Sequence, residues 1–155
     1  MTNKEKDLIF RNLIKIEHGI AKIYNHFSLK SDYSNPVKNF WRNISNEEEL
    51  HADMFDEIRQ GVIDGSVQAT VNIDMADLGG FVEKINTQLK NIQSKNLDES
   101  SAYSFGAIIE AELDEAKFLQ MVKTNEPKFV KMLNKIENDT KKHRVLLINH
   151  AKGIK

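Results

Sequence analysis

Four long stretches of this chain repeat apolar residues at the helical period, and each stripe also carries a carboxylate or imidazole. That combination restricts the fold more than any single motif. A 3.6-residue period makes amphipathic helices that must bury their stripes against one another. Two Pro, seven Gly and abundant Lys, Glu, Leu and Ile leave few breakers to interrupt them.

The first stretch, about 4–28, has the stripe Ile9, Leu13, Ile16, Ile20, Ile23 and Phe27, with Phe10, Glu17 and Tyr24 beside it. The second follows Asn35, which suits a helix cap, and Pro36, which suits a first turn. It carries Val37, Phe40 or Trp41, Ile44, Glu48, His51, Phe55 and Ile58, and Gly61 is its natural stop. The third, about 100–123, has Phe105, Ile108, Ile109, Glu112, Ala116, Leu119 and Val122. The fourth starts near Pro127 with Val130, Leu133, Ile136, Thr140, His143, Leu147 and His150. Residues 61–100 form a long crossover. They contain an irregular stretch and then a weaker helix with Leu78, Phe81, Val82, Ile85, Leu89 and Ile92 on one face. Short loops join the first to the second stretch and the third to the fourth. The expected architecture is therefore all-α, with two antiparallel hairpins packed as a four-helix bundle in a single domain over residues 1–155.

One pattern occurs twice. Ile44-Ser45-Asn46-Glu47-Glu48-Glu49-Leu50-His51 matches Ile136-Glu137-Asn138-Asp139-Thr140-Lys141-Lys142-His143 in outline, with Thr140 standing where the first copy has Glu48. A Glu and a His three residues apart share a helix face and can grip one ion. Aligning the first helix on the third pairs Glu17 with Glu112, so the chain reads as a diverged duplication of one hairpin. Isolated ionised carboxylates are not tolerated in a bundle core unless they pair or bind a cation. Glu17, Glu48, His51, Glu112 and His143 are therefore the candidate metal ligands, with Glu115 or Asp139 completing the shell. Their oxygen and imidazole donors suit iron and manganese, and also zinc. Tyr24 is placed to hydrogen-bond a ligand from outside. The ordinary alternatives are a surface acidic run for Glu48 and Glu115, a hydrogen-bonded core His for His51 and His143, and a partly buried Glu paired with Lys or His for Glu17 and Glu112.

These residues resemble the rubrerythrin branch of the ferritin-like di-iron carboxylate superfamily across nearly the whole chain. The likeness rests on Glu17 with Tyr24, on Glu48-Glu49-Leu50-His51-Ala52 with Phe55, on Glu112 with Glu115, and on His143. It implies a ferritin-like bundle holding a non-haem di-iron or mono-iron site that reduces peroxide or oxidises ferrous iron. It also implies that the extra Glu of the third helix exchanges with a His as an iron ligand. Thr140 departs from the family pattern, which has a bridging Glu there. There is no Cys, hence no rubredoxin-like iron module, and an external protein is expected to donate electrons. Non-catalytic metal storage or sensing, and a metal-free scaffold that has lost its site, are the alternatives.

A net charge of −1 gives no electrostatic case for nucleic acid or an anionic membrane. The first residues lead into an amphipathic stretch, so a cytoplasmic location without a signal peptide is expected. The apolar face of the crossover helix is a candidate homodimer contact.

Overall fold

The computed structural model describes residues 1–113 and 119–153. Its order is α1 (Asn3–Ser28), α2 (Asn35–Ile63), β1 (Ala69–Val71), α3 (Met75–Ser94), α4 (Glu99–Leu113), β2 (Val122–Thr124) and α5 (Pro127–Ala151). The chain is mostly helical. No helix among the described residues is long and apolar enough to cross a membrane.

Local chemistry explains most of the boundaries. Thr2 caps α1 in a reciprocal box with Glu5, satisfying two otherwise unpaired N–H groups. The cap of α2 is Ser34, one residue earlier than expected. Asn35 is already helical, and the Ser34 N–H donates to the Glu99 carboxylate at 2.8 Å. The helix also runs through Gly61 to Ile63, and Gly65 takes the left-handed turn at φ 81°. Gly61 stays inside because the chain folds back on it. A Cβ there would lie 2.8 Å from Val67 Cγ2. Asp74 caps α3 by accepting from the Ala76 and Asp77 N–H groups.

The third helix departs most from expectation. Its described part is Glu99–Leu113, and Val122–Thr124, where the helix was expected to finish, instead pair antiparallel with Ala69–Val71. Ala69 faces Thr124, Thr70 faces Lys123 and Val71 faces Val122. β-branched residues dominate this short ladder, whose Ala69, Val71 and Val122 are buried. The ladder ties the crossover to the segment before α5.

Helices α1 and α2 pack along each other, as do α4 and α5, while α3 lies on α1. Leu78, Ile85 and Ile92 of α3 are buried, and Phe81, Val82 and Leu89 are half-buried. The inward face of the crossover helix is thus largely occupied within the chain. Its approach depends on Gly19, where a Cβ would sit 2.2 Å from Ile85 Cγ2. Gly19→Ala should therefore push α3 off α1 and lower stability by about 1–3 kcal/mol, as overpacking does. Gly80→Ala meets nothing within 4 Å and should raise stability by about 0.4–1 kcal/mol through chain entropy. Urea melts of the two metal-free variants check this opposition of sign.

Candidate metal centre

Five polar side chains from four helices meet inside the bundle: Glu17 from α1, Glu48 and His51 from α2, Glu110 from α4, and His143 from α5. None is more than 4% exposed. Their ligand atoms form two groups. Glu17, Glu48 and His51 make one, and Glu48, Glu110 and His143 make the other, with the atoms of each group within 4.8 Å of one another. Glu48 belongs to both. Its Oε1 lies 2.8 Å from His143 Nδ1 and its Oε2 lies 3.3 Å from His51 Nδ1. The two imidazoles lie nearly parallel, 6.0 Å apart.

Each ring is held from behind by a second carboxylate. His51 Nε2 pairs with Asp139 at 3.0 Å, and His143 Nε2 pairs with Glu47. These outer contacts fix ring orientation and leave Nδ1 facing Glu48, the arrangement that makes imidazole a good ligand. Tyr24 supports the cluster similarly, donating from its hydroxyl to Glu110 Oε1 at 2.5 Å. Glu17 has no such help. Both its oxygens are buried without a hydrogen-bond partner among the described residues. Its nearest cationic neighbour is His51 Nδ1, 3.9 Å away.

The electrostatics follow from this crowding. Burial pushes the Glu48 carboxyl up, but hydrogen bonds from His143 and His51 outweigh it and hold the group below its usual range. Burial raises Glu110 to about 7, helped by the Glu48 charge. Burial works against a charged His143, yet Glu48 and Glu47 lift it to about 9. His51 is raised for the same reason, by Glu48 and Asp139 against burial. Tyr24 is driven well above its ordinary value by burial and by Glu110.

A pH dependence follows. In the metal-free protein the two His hold protons that the unfolded chain releases above about pH 6.5. Their stabilisation is complete below that pH and is lost as pH rises toward about 9. Glu110, protonated when folded up to about pH 7, acts in the same direction between its ordinary range and that value. The metal-free melting temperature should therefore fall from about pH 6 to about pH 9. Thermal melts across the interval check the slope.

The structure places the sequence-derived candidates as follows. Glu17, Glu48, His51 and His143 come together. Glu112 does not: it is exposed at the end of α4, and Glu110, two residues earlier, occupies the inward place. The reason is the rotation of α4. Ala102, Tyr103, Gly106 and Ile109 form its buried face, whereas Ile108 is 54% exposed. Asp139 belongs to neither group. It reaches His51 from the outside and is also bound by Lys135 at 3.0 Å. Thr140 is buried on α5. Glu115 lies outside the described residues. His18 pairs with Glu49 at the surface, 2.7 Å apart.

Two contributors escape a sequence reading. Glu47 looks like part of a solvated acidic run, and Glu110 sits among Glu112, Asp114 and Glu115. Gly106 was the available signal for Glu110. A Cβ there would stand 2.9 Å from Trp41 Cη2 and 3.0 Å from Leu147 Cδ2. A glycine required by close approach marks the inward face, and Glu110 lies one turn on along it.

Comparison with known protein families, with curated proteins and with solved structures finds no match to this chain.

Proposed function

We propose that the cluster holds two divalent metal ions, one per group, with Glu48 as the shared bridge, and that the metals serve redox chemistry on peroxide or dioxygen. The observation that carries this reading is Glu17. A fully buried carboxylate with neither oxygen hydrogen-bonded is costly unless a cation completes it. Carboxylate and imidazole donors favour iron or manganese, with zinc also accommodated.

The hairpins α1–α2 and α4–α5, joined through α3, support a ferritin-like arrangement of the rubrerythrin kind. In that reading Glu48 replaces the bridging role expected of a Glu at position 140. Glu17 and Glu110 close the two sides, His51 and His143 ligate through Nδ1, and Asp139 and Glu47 keep those rings in place. Tyr24 fixes the free rotation of Glu110. Metal held there would supply the two electrons that, with two protons, reduce hydrogen peroxide to two waters, and an outside reductant would be needed for a second turnover.

A metal-free structural network is favoured by one observation: both nitrogens of both imidazoles already have carboxylate partners. It leaves Glu17 unexplained. Storage or sensing uses the same ligands without turnover. Anaerobic ferrous loading, removal of free metal, and addition of peroxide with a chemical reductant separate the three readings. Redox function predicts repeated, metal-dependent peroxide consumption. Bound metal without turnover supports storage, and protein that retains no metal overturns the proposal.

A further inference from the structure

A chain of neighbouring rings runs from the cluster to the protein surface. The sequence has one Trp and three Tyr, and Trp41 with two of those Tyr lies in this chain. Tyr24, bonded to Glu110, has its ring centre 5.3 Å from that of Trp41. Trp41 in turn stacks on Tyr103 at 5.4 Å and 21°. Tyr103 stacks on His150 at 4.8 Å and 17°. Exposure rises outward: Tyr24 and Trp41 are fully buried, Tyr103 is 8% exposed and His150 is half-buried. The outer end opens into a pocket of about 560 Å³ walled by Pro36, Val37, Phe40, Tyr103 and His150, within the size range of small-molecule sites.

Packing alone does not account for these residue types. The Trp41 Nε1–H is buried and meets no acceptor among the described residues, a loss that a Phe at this position would avoid. Phe27 and Phe40 pack against the same indole, so plain hydrocarbon rings are accepted around it. What Trp41 offers beyond Phe is oxidation at an accessible potential, a property that Tyr24 and Tyr103 share.

We infer that Tyr24, Trp41 and Tyr103 form a one-electron relay between the carboxylate–His centre and the pocket at Tyr103 and His150, supplied there by a flat aromatic reductant of the reduced-flavin or hydroquinone class. This rests on the redox reading of the cluster. Tyr24 passes one electron to an oxidised metal while its phenolic proton moves to Glu110 across their hydrogen bond. Trp41 then reduces Tyr24 and the proton returns. Without an acceptor for its N–H, oxidised Trp41 keeps its proton until Tyr103 reduces it. Tyr103 gives its phenolic proton to water as it reduces Trp41, and the reductant in the pocket restores it with one electron and one proton. In sum the reductant loses one electron, the metal gains one, and the three side chains end unchanged.

Because the chain has no Cys, a Lys152→Cys substitution, at an exposed position two residues beyond His150, accepts a single ruthenium photo-oxidant. Flash oxidation followed by rapid freezing and electron paramagnetic resonance reads where the hole settles, with bound metal counted in every sample. Metal-free protein should give a tyrosyl signal that Tyr24→Phe removes, that Trp41→Phe and Tyr103→Phe each diminish, and that Tyr33→Phe leaves unchanged. Ferrous loading should replace that signal with oxidised metal, and Trp41→Phe should suppress the replacement. The relay is overturned if no signal depends on Tyr24, or if the Tyr24 signal is unchanged in both Trp41→Phe and Tyr103→Phe. A Tyr24 signal in protein that binds no metal keeps the wiring and defeats the metal reading instead.

Discussion

Glu48→Gln should empty both metal sites at once, whereas Glu17→Gln and Glu110→Gln should each empty one. The asymmetry follows from geometry. Glu48 supplies an oxygen to each group of ligand atoms, while Glu17 and Glu110 each belong to one. The isosteric amide keeps the volume but loses the negative charge and one acceptor oxygen. Metal per chain after anaerobic loading is the direct readout. Equal losses from all three variants would mean one mononuclear site and no bridge. The same substitution also acts without metal. One of His51 and His143 loses its hydrogen bond to Glu48 and the other keeps a weaker one to the amide oxygen, so Glu48→Gln should lower metal-free stability by about 1.5–3 kcal/mol. Asp139 and Glu47 still hold the outer nitrogens, which keeps the loss from growing further.

Glu17→Leu should have the opposite effect on the metal-free protein. Its carboxylate is buried with no hydrogen bond to lose, and its neighbours Ile16, Gly19, Ile20 and Ala21 on α1 are all buried. Replacing a buried carboxyl that makes no hydrogen bond by a hydrocarbon of similar volume is expected to stabilise by about 1–4 kcal/mol. For a chain of this length each kcal/mol moves the melting temperature by about 2–4 °C. On the two-metal proposal the gain should reverse in sign when metal is present, because ligand binding would stabilise the folded wild type and the variant would lack one site. Paired thermal melts with and without manganous ion test the crossing. A Glu17→Leu protein that melts lower than wild type without metal would show that the carboxylate is already compensated.

Much of this was legible in the sequence because three of the four long helices have unambiguous stripes. On α1 the spacing from Ile9 to Phe27 admits one face, and Glu17 and Tyr24 lie on it. On α2 and α5 the repeated pattern places Glu48, His51 and His143 inward. Helix α4 is different. Ile108 and Ile109 are adjacent, so periodicity alone permits two rotations about 100° apart, and the bulkier run through Phe105, Ile108 and Glu112 selects the wrong one. The small residues Ala102 and Gly106 carry the true face but contribute little to a hydrophobic pattern. The β1–β2 ladder was hidden because three-residue strands fall below the length at which alternation is readable. Glu47 was hidden by its neighbours. In the run Glu47-Glu48-Glu49 the middle residue is buried, the first reaches His143 and the last reaches His18. Only tertiary contacts separate three identical side chains into three roles.

The central claim is that one buried carboxylate bridges two metal ions. Anomalous diffraction from crystals loaded anaerobically with ferrous or manganous ion tests it most directly. Two peaks should appear, one among Glu17, Glu48 and His51 and one among Glu48, Glu110 and His143, both within bonding distance of Glu48. A fully loaded crystal with no peak beside Glu48, or with a single peak that excludes Glu17, would contradict it.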